Sequence, residues 1–229
     1  IPVDYVGHPL ADQLADFPGR SAAREQLRLP AAAKVIALLP GSRISELEHM
    51  ADLFVARAAG IAKSAPEVRF LVPLVSRETK EIFEAALYRR PTEELNINIL
   101  FGHAHDAMAA ADVVLAASGT VTLEAALLRR PMVITYKMPW LSWRLMNKQR
   151  QLPYVGLPNI LAGEFVVPEF LQQDATAENL SKAVLNLLYD KTVRDRIEAR
   201  FTGMLQELRQ NTADKAARAI LPLLDGAVA

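Results

Sequence analysis

Twice in the first 130 residues an unbroken apolar run ends at a glycine turn and is followed at once by apolar residues at helical spacing. Lys34 to Leu39 (K-V-I-A-L-L) stops at Pro40-Gly41-Ser42-Arg43. Leu47, Met50, Ala51, Phe54, Val55, Ala58 and Ile61 then trace one face of a helix from about Ile44 to Lys63. Val113 to Ala116 stops at Ser118-Gly119-Thr120, after which Val121, Leu123, Ala125, Ala126, Leu127 and Leu128 return at helical density. A short strand that is apolar on both faces must be covered on both, so these units demand a parallel sheet with helices on either side. Arg69 to Val75, Leu95 to Phe101 and Pro131 to Tyr136 supply further strands, and Arg77 to Tyr88 and Ala104 to Ala111 further helices. The expected fold class is therefore α/β, a Rossmann-like sheet of five or so parallel strands with helices on both faces.

The remainder is punctuation and helix. Ile1 to Val6 reads as a short extended piece, Gly7-His8-Pro9-Leu10 as a loop, and Ser21 to Leu29 as a surface helix. From Ala177 on the pattern is helical, over Glu178 to Tyr189, Val193 to Gln210 and Thr212 to Leu224. This divides the chain into a sheet domain over 1–176 and a C-terminal helical extension over 177–229, packing on that domain or crossing to a partner. Ile1 follows no Met and no leader, so the chain reads as a piece of something longer.

In open parallel sheets ligands lie beyond the carboxyl ends of the strands, where Gly41, Gly102 and Gly119 all fall. The turn Ser118-Gly119-Thr120 has the makings of an anion site. A helix start leaves backbone N–H groups unpaired and carries the positive end of the dipole, which stabilises phosphate without any lysine. Gly119 lets the backbone approach a ligand, Ser118 and Thr120 can donate hydroxyls, and Glu124, one turn on, can accept two ribose hydroxyls. The same residues also suit an ordinary Ser/Thr cap with Glu124 on a solvated face. Arg43 can clamp a phosphate or pair with Glu46 or Glu48.

Composition excludes some classes. Lys+Arg and Asp+Glu are equal at 26 each, which leaves no broad basic footprint for nucleic acid. With no cysteine there is neither a disulfide framework nor a thiolate metal site. His8, His49, His103 and His105 include no H-E-x-x-H spacing, so no metal is expected. No apolar run reaches the ~18 residues that a spanning helix requires. Met138 to Met146 (M-P-W-L-S-W-R-L-M) sets Trp140 and Trp143 three apart on a helix, a stripe that suits lipid, packed core or a dimer contact. Asn159 and Gln172 are amides in apolar, Pro-punctuated loops, whose partners are a ligand hydroxyl or the local backbone.

G-H-P-L-A-D (Gly7 to Asp12), L-L-P-G-S-R-x-S-E (Leu38 to Glu46), V-P-L-V (Val72 to Val75) and A-S-G-T-x-T-L-E (Ala117 to Glu124) occur in that order. P-M-V-I-x-Y-K (Pro131 to Lys137), L-P-N-I-L-A-G (Leu157 to Gly163) and V-P-E-F-L-Q (Val167 to Gln172) follow them. This succession closely resembles the lipid-A-disaccharide synthase family, from about Val6 to Leu221. It is similar only to the C-terminal, nucleotide-sugar-binding half of those GT-B glycosyltransferases. The half holding the acceptor site and general base is absent. The resemblance implies transfer of a diacylated glucosamine from UDP-2,3-diacylglucosamine to 2,3-diacylglucosamine 1-phosphate, releasing UDP, with no metal cofactor; the chain alone would be inactive. It implies Arg43 and Asn159 as the residues essential for activity. Gly41, Ser42, Ser118, Gly119 and Thr120 would lie about the diphosphate, Phe101 and Gly102 by the uracil, Met108 packing nearby, Glu124 at the ribose and Gln172 at the sugar and diphosphate. It further implies a cytoplasmic protein peripheral to the inner face of the bacterial inner membrane. A homodimer with exchanged C-terminal helices is also implied. A UDP-binding module without activity and a UDP-sugar epimerase of the same fold are the competing readings.

Overall fold

The six strands β1 (Val35–Leu39), β2 (Arg69–Leu74), β3 (Ile97–Phe101), β4 (Val113–Ala117), β5 (Met132–Tyr136) and β6 (Glu169–Leu171) form one sheet. Their order is β3-β2-β1-β4-β5-β6, with every pairing parallel. This is a computed structural model, and it describes residues 3–90, 95–149 and 151–225. The first two residues of the expected extended opening and the last four of the expected helical extension lie outside those residues.

The helices are α1 (Pro9–Leu14), α2 (Arg20–Gln26), α3 (Ile44–Ser64), α4 (Arg77–Tyr88), α5 (Ala104–Ala110), α6 (Val121–Leu127), α7 (Trp140–Gln149), α8 (Leu157–Ala162), α9 (Ala177–Tyr189), α10 (Lys191–Leu208) and α11 (Thr212–Asp225). α3 packs with α4 and α9 on one face of the sheet. α5 and α6 pack on the other, with α1, α2, α8 and α10 around them. β1 and β4, at the centre, are buried at every residue, as the unbroken apolar runs require. β3, at the edge, has Ile97, Ile99 and Leu100 partly buried and Asn98 and Phe101 exposed. Each fully buried Leu, Ile or Phe stabilises the fold by about 1.5–3 kcal/mol, so the large side chains sealed between the layers, Phe54, Phe70, Phe83 and Phe201 among them, dominate the core. The seven residues expected on the inner face of α3 are all buried.

The structure departs from the sequence reading in several places. Gly7 to Leu10 is not all loop: α1 starts at Pro9, whose fixed φ and missing N–H suit a first turn, and His8 Nδ1 accepts the Leu10 N–H at 3.2 Å. The sheet gains a sixth strand, β6, too short to show as an apolar run. Asn159 lies in α8 rather than a loop, since Pro158 stands at the helix start, where proline is tolerated. Beyond residue 176 the sequence left packing and crossing open, and α9 and α10 pack on the sheet domain. Leu180, Val184, Leu187 and Leu188 of α9 join the core against β4 and β5, and α10 packs on α6.

Two polar contacts fix loops that the apolar pattern leaves open. Asp112 accepts Arg20 Nη1 at 2.8 Å, Arg24 Nη2 at 2.9 Å and the Val35 N–H at 2.9 Å, tying α2 to the starts of β1 and β4. Glu169 on β6 accepts the N–H groups of Val155 and Gly156 at 2.8 and 2.9 Å and so holds the entry to α8. Gly156 is buried here, and a Cβ on it would collide with Ile134 Cδ1 and come within 3.0 Å of Glu169 Oε1. Gly156→Ala is expected to cost about 1–3 kcal/mol through overpacking, read as a lower urea midpoint at unchanged m-value.

Candidate functional site

The sheet order places β1 and β4 side by side while their following helices leave in opposite directions, α3 to one face and α6 to the other. Such a switch point opens a crevice at the carboxyl ends of the two strands. A cleft of ≈ 370 Å³ lies there, walled by Leu39 to Arg43, except Pro40, on the β1 side and Ala117 to Val121 on the β4 side. Pro73, Val75, Ala104, Glu46 and Tyr136 complete it.

The β4 wall is built from backbone. The Ser118 N–H donates to Thr135 O at 3.0 Å, which anchors the turn to β5. Among the described residues the N–H groups of Gly119, Thr120 and Val121 find no acceptor, and Thr120 makes no side-chain cap. Thr122 instead donates its hydroxyl to Gly119 O at 2.7 Å, bracing the first turn from behind. Because α6 is only seven residues long, these first-turn donors matter more than a long dipole. Gly119 has no protein atom within 4 Å of the place a Cβ would take, so the space above the turn is free for a ligand.

The β1 wall is charged. Gly41 adopts φ +127, a conformation few side chains tolerate, and turns the chain sharply into α3. Arg43 follows, its side chain 78% exposed, with Nη1 donating to Glu46 Oε1 at 2.7 Å. The first of the two alternatives for Arg43, a phosphate clamp, is thus met in the structure by the second, a local ion pair. The pair is exposed on the arginine side and weak, so an anion in the cleft can compete for the guanidinium. Burial and the nearby Glu46 carboxylate push the Tyr136 phenol above its ordinary pKa, with Arg43 opposing them.

The other expected residues fall around this cleft in different ways. Gly102 sits at the same sheet edge, but β3 is separated from β4 by β2 and β1, so its turn stays outside the cleft. Phe101 is exposed beside it. Only Ala104, at the start of α5, reaches the lining, as α5 crosses back over the sheet toward β4. Met108 on α5 is fully buried in the core. Glu124 stands on α6 with Oε2 accepting His105 Nε2–H from α5 at 2.8 Å. That hydrogen bond, partly opposed by burial, raises the His105 pKa above the usual histidine value.

Asn159 and Gln172 are committed to the protein. Asn159 is fully buried; Nδ2 donates to Val167 O at 2.8 Å and Glu169 Oε1 at 2.7 Å, and Oδ1 accepts the N–H groups of Val166 and Val167. Gln172 exchanges two bonds with the Met138 backbone, at 3.0 and 3.1 Å, pinning the exit of β5. As placed, neither amide lines the cleft. Sequence reading missed Tyr136 and the bracing roles of Glu169 and His105. The signals were a tyrosine at a strand end, a carboxylate facing an N-terminal turn, and a histidine 19 residues from Glu124. Among the described residues no three His, Cys, Asp or Glu side chains gather into a ligand set. No helix there is long and apolar enough to cross a membrane.

A family model for lipid-A-disaccharide synthetase matches residues 1–221. The lipid-A-disaccharide synthase of Methylobacillus flagellatus is 53% identical over 224 residues, covering 98% of this chain and 59% of that protein. The one from Azoarcus sp. strain BH72 is 54% identical, covering 98% and 57%. The chain therefore spans a little over half the length of these relatives. Among solved structures, WaaG, a glycosyltransferase involved in lipopolysaccharide biosynthesis, superposes with a TM-score of 0.62 at 16% identity, over 93% of this chain and 54% of WaaG. At that identity the likeness is one of fold, the parallel sheet of GT-B glycosyltransferases.

Proposed function

The chain belongs to the lipid-A-disaccharide synthetase family, and from that premise we propose that it forms the donor-nucleotide half of an inverting glycosyltransferase. The donor is UDP-2,3-diacylglucosamine and the acceptor 2,3-diacylglucosamine 1-phosphate. The acceptor hydroxyl oxygen attacks the anomeric carbon and its proton goes to a base in the other half of the enzyme. The bond to the UDP oxygen breaks on the opposite face, and its electron pair leaves with the diphosphate. This chain's part is to hold that leaving group. The free N–H groups of Gly119, Thr120 and Val121 meet the diphosphate on one side, and Arg43, released from Glu46, meets it on the other. Glu124 accepts the ribose, and the uracil edge lies along Phe101 to Ala104.

The observation that carries this reading is the facing of two glycine turns across one cleft at the switch point of the sheet. No metal is required in the proposal, since backbone donors and one guanidinium supply the positive potential. Calorimetric titration of the chain with UDP in chelator-containing buffer tests it. We expect binding, weakened about 10- to 100-fold by Glu124→Ala, the range for one lost charge-assisted hydrogen bond. Absence of binding in the wild type would reject the site.

The substrates carry acyl chains, and α7 is the segment we propose to meet the membrane surface at the cytoplasmic face of the inner membrane. Trp140 and Leu145 are exposed there, with Arg144 and Lys148 beside them to meet anionic headgroups. For the homodimer, α11 is the helix proposed to exchange between subunits, because it leaves Ile220 and Leu221 exposed. The acceptor site and general base belong to the other half.

A further inference from the structure

We infer that His105 is a positioning residue that sets how strongly this site distinguishes ribose from a sugar without its hydroxyls, by fixing the Glu124 carboxylate. The inference rests on the nucleotide reading given above. An ionised carboxylate only accepts hydrogen bonds, and a glutamate on a helix surface turns about three side-chain torsions. Here the Nε2–H of His105 donates to Oε2 of Glu124 at 2.8 Å, bridging α5 to α6. The imidazole also packs in a T-shaped contact with Phe17, centroids 5.7 Å apart and planes at 75°. Both partners are part-buried, so the geometry is restrained by packing as well as by charge. With Oε2 engaged, Oε1 is left as the acceptor for a sugar hydroxyl, and its direction is set before the nucleotide arrives.

Two consequences follow from that arrangement. Loss of His105 leaves the carboxylate in place but lets it rotate, so the nucleotide must bear the cost of ordering it, roughly 2- to 13-fold in affinity. The loss falls only on ligands that use the carboxylate. A nucleotide without ribose hydroxyls binds the turn and the cleft as before.

The experiment compares UDP with 2′,3′-dideoxyuridine diphosphate by calorimetry on the wild type, His105→Ala, His105→Gln and Glu124→Ala. In the wild type UDP is expected to bind roughly 10- to 100-fold tighter than the dideoxy ligand, one charge-assisted hydrogen bond's worth. His105→Ala should shrink that ratio several-fold through weaker UDP binding alone. His105→Gln, whose amide N–H can still donate to Glu124, should restore most of it. Glu124→Ala should abolish the ratio, and adding His105→Ala should then change nothing. A ratio in His105→Ala equal to the wild-type value overturns the inference while leaving the nucleotide site standing. Equal weakening of both ligands does the same, since it marks a merely structural role. Failure of the wild type to bind UDP at all rejects the nucleotide reading itself.

Discussion

Replacing Arg43 by alanine in the full-length enzyme is expected to lower turnover by about 10²- to 10³-fold, the usual cost of removing one donor that stabilises a developing oxyanion. The melting temperature should move by no more than a degree or two. The reason lies in where the side chain stands: 78% exposed, joined only to Glu46, and contributing little to the fold through a pair of that kind. Arg43→Lys should recover only part of the loss, because a single ammonium cannot present two parallel donors to a diphosphate. Steady-state kinetics together with a thermal melt decide the matter. Equal falls in stability and turnover would show that the arginine holds the fold instead.

The second large effect is the mirror image of the first. Asn159→Ala should destabilise the chain by about 3–5 kcal/mol, because it leaves the Val166 and Val167 N–H groups and the Val167 carbonyl without their buried partner. For a domain of this size that corresponds to a melting temperature roughly 10 °C lower, with the urea midpoint falling at constant slope. The resemblance to the synthase family marks the same residue as essential for activity. The two roles separate when turnover and stability are measured on the same variant. An Asn159→Ala chain with wild-type stability and no turnover would place the amide at the substrate after all.

The sheet was legible because buried parallel strands must be continuously apolar. Lys34 to Leu39 and Asp112 to Ala117 could not have been anything else once glycine turns and helical spacing followed them. The glycine turn at Ser118-Gly119-Thr120 was legible for a related reason, since it is a local device whose free donors come from the backbone. β6 was obscured because three partly buried residues make no pattern, and α1 and α8 because Pro9 and Pro158 look like loop signals until the helix behind them is seen. The pairing of His105 with Glu124 and the burial of Asn159 join residues from different elements, and spacing along a chain carries no record of that.

By itself, then, the sequence determined the α/β class, the two glycine turns and the family, because each depends on neighbours within a few residues or on motif order. Tertiary structure alone decided which turns meet. Gly41 and Gly119 share a cleft since β1 and β4 pair, and Gly102 is left at the flank since two strands stand between. It alone decided, too, that Asn159 and Gln172 spend their hydrogen bonds inside the protein while Arg43 stays exposed on a weak local pair. Strand order is set by long-range packing of interchangeable apolar faces, and many sequences of strands would satisfy the same local pattern; only the closed core selects one of them.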